Sequence, residues 1–238
     1  MQRVSWARVT GEGAVIVVSI LLALALDAWW ASIDAYQEAH RELGVVREEL
    51  REARTEIETM GLWHDRLGHG MQSLGEQLST ADPTAALVVD DTLLAGALLF
   101  PVTDPPLAVL DAFLGSGHLQ RLHNPQLRRN LANWRAQVDD QRGDESRARN
   151  FEDSELAPYL RSQFEMAAAQ EAATSLWLVG LDSLPHATGV PVRLRSNQRI
   201  KNLVARQVGW YRLTGSQSKS VLTKLDELLE LIDDELGS

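Results

Sequence analysis

The sequence predicts an all-α protein: one N-terminal transmembrane helix continues into a long helix, which packs with other long helices as an antiparallel, coiled-coil-like bundle. Three observations predict it. An apolar run near the N-terminus is long enough to cross a bilayer. A heptad repeat starts where that run ends. The rest of the chain is rich in Ala, Leu, Glu, Arg and Gln, residues of high helix propensity, and is punctuated by Asp-Pro, Asn-Pro and glycine signals.

The apolar run comes first. From Gly13 to Ile33 the only charge is Asp27. A helix of that length spans roughly 31 Å, about one hydrocarbon core. Trp29, Trp30 and Tyr36 form an aromatic belt at one interface, and Trp6 suits the other. Arg3, Arg8 and the terminal amine lie before the run, whereas no Lys or Arg follows it until Arg41. The positive-inside rule then places the N-terminus in the cytoplasm and the body outside the inner membrane, in the periplasm of a two-membrane cell. Two other readings compete. A cleavable signal peptide would use Ala23-Leu24-Ala25, but no polar region precedes that site and Trp29 and Trp30 prolong the apolar character beyond it. A buried core helix is also open, because the strictly uncharged stretch is short. Glu12 and Asp27 stand 15 residues apart, on roughly one helix face. They read as interfacial carboxylates bracketing the span, or Asp27 sits deeper and pairs across helices or carries protons.

The heptad stretch follows. Leu43, Leu50, Ile57, His64, Met71 and Leu78 form one series, and Ala39, Val46, Ala53, Met60, Leu67 and Leu74 the other. One long helix to about Ser79 is expected. Gly61, Gly68 and Gly75 recur every seven residues beside the seam. Either they let another helix approach closely, or they weaken or break this one. The mixed seam suits an intramolecular partner as well as a second copy.

Short helices come next. Asp82-Pro83 and Asp104-Pro105 read as N-cap and first helical residue, and Asp90 or Asp91 caps Thr92–Phe100. Pro105–Leu114 should stop at Gly115 and Gly117, ahead of His118–Leu122. Asn124-Pro125 opens a helix with the stripe Leu127, Leu131, Trp134 and Val138. It is expected to run through Asp139–Asp153 towards Met166, with Gly143 and Pro158 as kinks or breaks. Ser175–Leu181 is apolar but too short to span a bilayer. Leu184–Ser196 is the longest loop, with a short edge strand at Val190–Leu194. Ser196 or Asn197 caps a last helix to about Leu236, striped by Ile200, Val204, Tyr211, Val221, Leu225, Leu228 and Ile232. Gly209 and Gly215 should weaken its middle, and its acidic end should fray, since acids there oppose the helix dipole. The expected organisation is a cytoplasmic tail (1–12), a transmembrane helix (13–33), a heptad-patterned helix (34–80) and a helical domain (81–238) packing back on it.

Two segments carry a resemblance. Glu12–Trp30 reads EGAVIVVSILLALALDAWW, and Ala112–Trp134 contains Ser116, Gly117, Leu119, Asn124, Leu127 and Arg128 in order. Together they resemble an uncharacterised bacterial family of single-pass, N-terminally membrane-anchored helical proteins. The resemblance implies an anchor and a helical domain. It implies no activity.

The chemistry is mostly negative. A net charge of −10 argues against a nucleic-acid partner. There is no cysteine, hence no disulfide and no thiolate ligand or nucleophile. No G-x-S-x-G, P-loop or H-E-x-x-H is present. No enzyme, cofactor, catalytic residue or metal site is expected. His64/His69 and His118/His123 stand five apart, a spacing that puts the rings on different helix faces. His64 sits on the seam, as a tolerated polar residue or a pH-sensitive contact. Ser116, His118, Arg121, Asn124 and Arg128 gather at a helix start, a setting that suits an anion or small ligand, or simply an N-cap with solvated arginines. Arg193, Arg195, Arg199 and Lys201 form a second basic group that headgroups or the chain's own acids would satisfy. Two functions follow: protein–protein interaction or assembly on the bilayer, with itself or another envelope protein, or binding of an anion or small ligand near Ser116–Arg129.

Overall fold

A computed structural model describes residues 6–82, 86–89, 93–94, 97–163, 169–171, 173–174, 192–195 and 197–237; side chains are described for these except at 6–16, 86 and 192–195. Helix dominates. α1 runs unbroken from Trp6 to Thr80. β1 (Ala86–Val89) pairs antiparallel with β2 (Val192–Arg195), Leu87 opposite Leu194. α2 is Ala108–Ser116, α3 is Pro125–Phe151, α4 is Ala157–Gln163 and α5 is Gln198–Gly237.

α1 has two unlike halves. In the first, Val18, Leu22 and Trp30 are 64%, 61% and 60% exposed, and among the described residues nothing packs on this stretch. In the second, every heptad residue from Ala39 to Leu78 is buried except Met60, which is half-buried. The partner on that seam is α5, running antiparallel. Arg47 meets Asp233, Arg54 meets Asp226 and Asp65 meets Lys219 along the flank, at 3.0, 2.7 and 2.8 Å. α3 lies along α5: Gln141 reaches Ser218, and Arg206 of α5 pairs with Glu155 just beyond α3.

The three glycines explain how closely α1 and α5 approach. A Cβ on Gly61 would stand 3.2 Å from Cβ of Ser218, on Gly68 2.9 Å from Cβ of Tyr211, and on Gly75 3.5 Å from Val204. Their seven-residue period is matched by Val204, Tyr211 and Ser218. The close-approach reading therefore holds, and the helix does not break. Gly215 does the same from the other side, facing Asp65 and His64. It does not weaken α5, which is continuous, as it is at Gly209.

The apolar core falls into two parts. One, beside the exposed stretch of α1, holds Leu43, Leu50, Ile57, Phe113, Trp134 and Leu228. The other, at the far end, holds Trp63, Met71, Phe100, Phe151, Tyr159 and Val204. Between them lies a buried polar layer: His64, Thr103, Gln141, Glu145, Thr214 and Ser218. The layer serves an extended segment, 99–107, that crosses the helices there. Its backbone groups need partners once they leave water. Tyr211 donates to Leu99 O at 2.5 Å, and His64 Nε2 donates to Pro101 O at 2.9 Å. Glu145 accepts from Thr103 N and Oγ1, both at 2.7 Å, and from Gln141 at 2.9 Å. Glu56 accepts from Asp104 N at 2.7 Å.

Several expectations need correction. The aliphatic run after Asp82-Pro83, Ala86–Val89, forms the strand β1 and not a helix, with Val89 buried and Val88 exposed on alternate faces. The described part of 92–100 is not a continuous helix; residues 97–100 are a turn and extended chain. Asp104 does not cap α2. Pro106 follows Pro105, and each residue before a proline is pushed out of helical geometry, so the helix starts at Ala108. Its cap comes from another helix: Glu49 of α1 accepts from Val109 N and Leu110 N, both at 2.8 Å. Gly117 ends α2 with φ +83°. Gly143 makes no break. At Pro158, which has no N–H and whose ring crowds the preceding turn, the helix widens to a π-turn at Glu152–Leu156. The acidic end of α5 does not fray: Ile232 and Glu235 are buried, and the helix reaches Gly237. Asn124 caps α3, and Asn197 caps α5 through Ile200 N, as expected. Ser175–Leu181, the loop up to Pro191, the Asp90/Asp91 cap, Met166 and the side chains of Glu12, Arg193 and Arg195 lie outside the described residues.

Two buried groups tie stability to pH. Burial holds His64 below its ordinary 6.5, with Pro101 and nearby carboxylates opposing. Burial raises Glu152 to about 8 from 4.5, with Asp153 adding to the shift. A depressed base binds fewer protons folded than unfolded, so His64 contributes full stability above 6.5 and loses it as pH falls. A raised acid does the reverse: Glu152 contributes fully below 4.5 and loses stability as pH rises towards 8. In His64→Leu the loss of Tm between pH 7.5 and 5.5 should shrink, and Glu152→Gln should raise Tm more at pH 8.5 than at pH 5. Thermal melts across pH check both. Gly68→Ala should cost about 1–3 kcal/mol although Ala favours helix, whereas Gly209→Ala, which meets nothing within 4 Å, should add about 0.5–1 kcal/mol. Denaturant titration of the two variants decides this.

Candidate functional site

The polar residues singled out around 116–128 do converge, at the end of the packed body next to the exposed apolar stretch. α1 contributes Tyr36, Glu38, His40 and Glu42. The α2–α3 connection contributes Ser116, the 3-10 turn His118–Arg121, and Leu122–Asn124. α5 contributes Glu235. The antiparallel pairing of α1 with α5 is what brings the last turn of the chain here.

Each residue has a definite place. Ser116 Oγ donates to Phe113 O at 2.8 Å and accepts from His118 N at 3.2 Å. Its proton therefore faces a carbonyl and not a base, so it is not set up as a nucleophile. His118 Nδ1 stands 2.6 Å from Glu42 Oε2. Arg121 is exposed. Asn124 Oδ1 accepts from Gln126 N and Leu127 N, at 2.9 and 3.2 Å, which is the N-cap of α3. Arg128 donates to Leu122 O at 2.6 Å. In the apolar stretch Asp27 is exposed, and the rings of Trp29 and Trp30 stand 5.8 Å apart, both exposed.

The helix start that suggested an anion site already holds a carboxylate. Glu235 accepts from His123 N at 2.5 Å and Asn124 N at 3.0 Å. His40 Nε2 lies 3.8 Å from the same carboxylate. Tyr36 packs against His40 and His123, with centroids 4.1 and 4.5 Å away, and its hydroxyl shares a 2.9 Å hydrogen bond with His123 Nδ1. The physical logic of the anion site was sound, since a helix N-terminus attracts negative charge. The chain supplies that charge itself.

Beside Glu42 and Ser116 is an open groove of about 500 Å³, walled by Val45, Val109 and Phe113 among others. Of the second basic group, Arg199 stacks over the Tyr159 ring at 4.9 Å, far from this end.

Glu38, Glu42 and Glu235 were missed by sequence reasoning. Glu38 and Glu42 could have been noticed as a like-charged pair one turn apart. Their meeting with His118 depends on a tertiary contact across 76 residues. No protein-family model matches this chain, and comparison with curated proteins and with solved structures finds no match. The functional reading therefore rests on the geometry.

Glu235 holds two backbone donors that Asn124 does not reach. Glu235→Ala should lower stability by about 1–3 kcal/mol, and Glu235→Gln, which keeps one acceptor, by less. Urea unfolding of both variants gives the order, and equal values for all three proteins would remove the capping role.

Proposed function

We propose that the chain is a single-pass membrane protein whose extracytoplasmic helical bundle acts in protein–protein interaction or assembly. The observation that carries this is the first half of α1. An apolar helix exposed on all sides needs a lipid environment or a partner to cover it, and soluble proteins rarely leave so large a continuous apolar surface in water. Here the stretch around Val17–Trp30 is exposed throughout while the same helix, further on, is the spine of the packed body. The membrane interface would fall near Trp29, Trp30 and Tyr36, with Asp27 and Glu12 towards the two surfaces. Arg3 and Arg8 favour a cytoplasmic N-terminus, in the inner membrane, with the body in the periplasm.

The continuity of α1 also bears on the signal-peptide alternative. Ala23-Leu24-Ala25 lies inside helix, with helical chain on both sides. Assembly would use surfaces other than the heptad seam, because α5 already covers it. The second reading, an anion or small-ligand site at Ser116–Arg128, has less support: the side chains of Glu235, Asn124 and Arg128 are each engaged with backbone groups there.

Alkaline carbonate extraction tests the anchor, and crosslinking in intact membranes with mass spectrometry tests the assembly. The chain should stay in the membrane pellet with its N-terminal peptide attached, and crosslinks should join it to a second copy or another envelope protein. Since the sequence has no cysteine, single substitutions report topology cleanly. Gln120→Cys should react with a membrane-impermeant maleimide in cells with a permeabilised outer membrane, and Gln2→Cys should not. A mature chain beginning after Ala25 would overturn the anchor.

A further inference from the structure

We propose that Glu38, Glu42 and His118 bind a divalent transition-metal ion, with Zn²⁺ as the natural probe. The three side chains offer one ligand atom each, all within 4.8 Å of one another. They come from two elements: Glu38 and Glu42 from successive turns of α1, and His118 from the 3-10 turn after α2. Donors around a tetrahedral zinc ion at about 2.0 Å stand about 3.3 Å apart. The side chains therefore reach that geometry by small rotations, with the 2.6 Å contact between His118 Nδ1 and Glu42 giving way to shared coordination.

The electrostatics ask for a cation. Asp34, Glu38 and Glu42 follow one another at four-residue spacing on α1, and like charges so placed repel. Of the two glutamates, only Glu42 is hydrogen-bonded to His118. Glu38 has no hydrogen bond or ion pair among the described residues. One imidazole cannot answer two carboxylates, whereas a divalent ion answers both at once. The donor set also selects. A single imidazole with two carboxylates suits zinc and its neighbours, and Mg²⁺ and Ca²⁺ prefer oxygen alone. Three protein ligands leave a fourth position open to water or to another donor. The triad borders the apolar groove walled by Val45, Val109 and Phe113, which shares Glu42 with it. The ion would pin the turn 118–121 to α1. None of this depends on the membrane reading.

Zn²⁺ titration of the full-length, untagged chain in detergent micelles, by calorimetry, tests the site. One ion per chain is expected, unaffected by excess Mg²⁺. Glu38→Gln, Glu42→Gln and His118→Ala should each weaken binding by about tenfold or more, since the loss even of supporting groups costs that much. Glu38 is exposed, so Glu38→Gln keeps the fold and separates ligand loss from unfolding; a melt confirms it for each variant. His69→Ala, an exposed histidine elsewhere on α1, should bind as the native chain does. Co²⁺ should give a visible absorption band that Glu38→Gln abolishes. The proposal is overturned if the native chain takes up no stoichiometric Zn²⁺, or if Glu38→Gln and His118→Ala retain the native affinity.

Discussion

The constraint on which the rest of this structure depends is the hydrogen bonding of a buried, extended segment. Residues 99–107 cross the long helices where no strand or helix can pair with them. Prolines at 101, 105 and 106 remove three of the donors. Four of the remaining backbone groups are met by side chains from three helices: Glu56 and His64 of α1, Glu145 of α3 and Tyr211 of α5. Each bond fixes the height of its helix relative to the segment. A shift of α5 by one turn would strand the Leu99 carbonyl, and a shift of α3 would strand Thr103. The polar layer thus sets the register of helices whose apolar stripes alone would tolerate sliding.

The same device recurs at two other places where irregular chain meets the scaffold. Glu49 caps α2 and Glu235 caps the start of α3, each reaching across from a long helix. Carboxylates suit this task because one group accepts from two adjacent N–H donors and also answers the helix dipole. The result is a division of labour. Apolar heptads bring α1 and α5 together, glycines let them come close, and buried acids hold the connecting loops in place.

That division explains what could be read from the sequence. The heptad, the stripes of α3 and α5, the caps at Asn124 and Asn197 and the stop at Gly117 are local or periodic signals, and the structure contains them all. The strand near 190–194 was visible, though its partner, β1, was mistaken for a helix because Asp-Pro outweighed four aliphatic residues. α2 starts three residues later than Asp104-Pro105 indicates, because the second proline, Pro106, holds the chain extended. The end of α5 was read as frayed because acids at a helix C-terminus are unfavourable in isolation; the N-terminus of α3, brought beside it by folding, reverses the sign. The candidate site shows the same split. Its residues from 116 to 128 lie in one stretch and were found. Glu38, Glu42 and Glu235 belong to it only through the antiparallel return of the chain.

The unbroken course of α1 has a geometric consequence. Each residue of a helix turns the chain by about 100° and advances it by 1.5 Å. With no hinge between Trp30 and Ala39, the azimuth of the whole body about the helix axis is set by the count of residues between them. One inserted residue would swing the groove and its carboxylates through more than a quarter turn while lifting them hardly at all. Two neighbours docked on this body would then face a different side of it, although every contact within the body was unchanged.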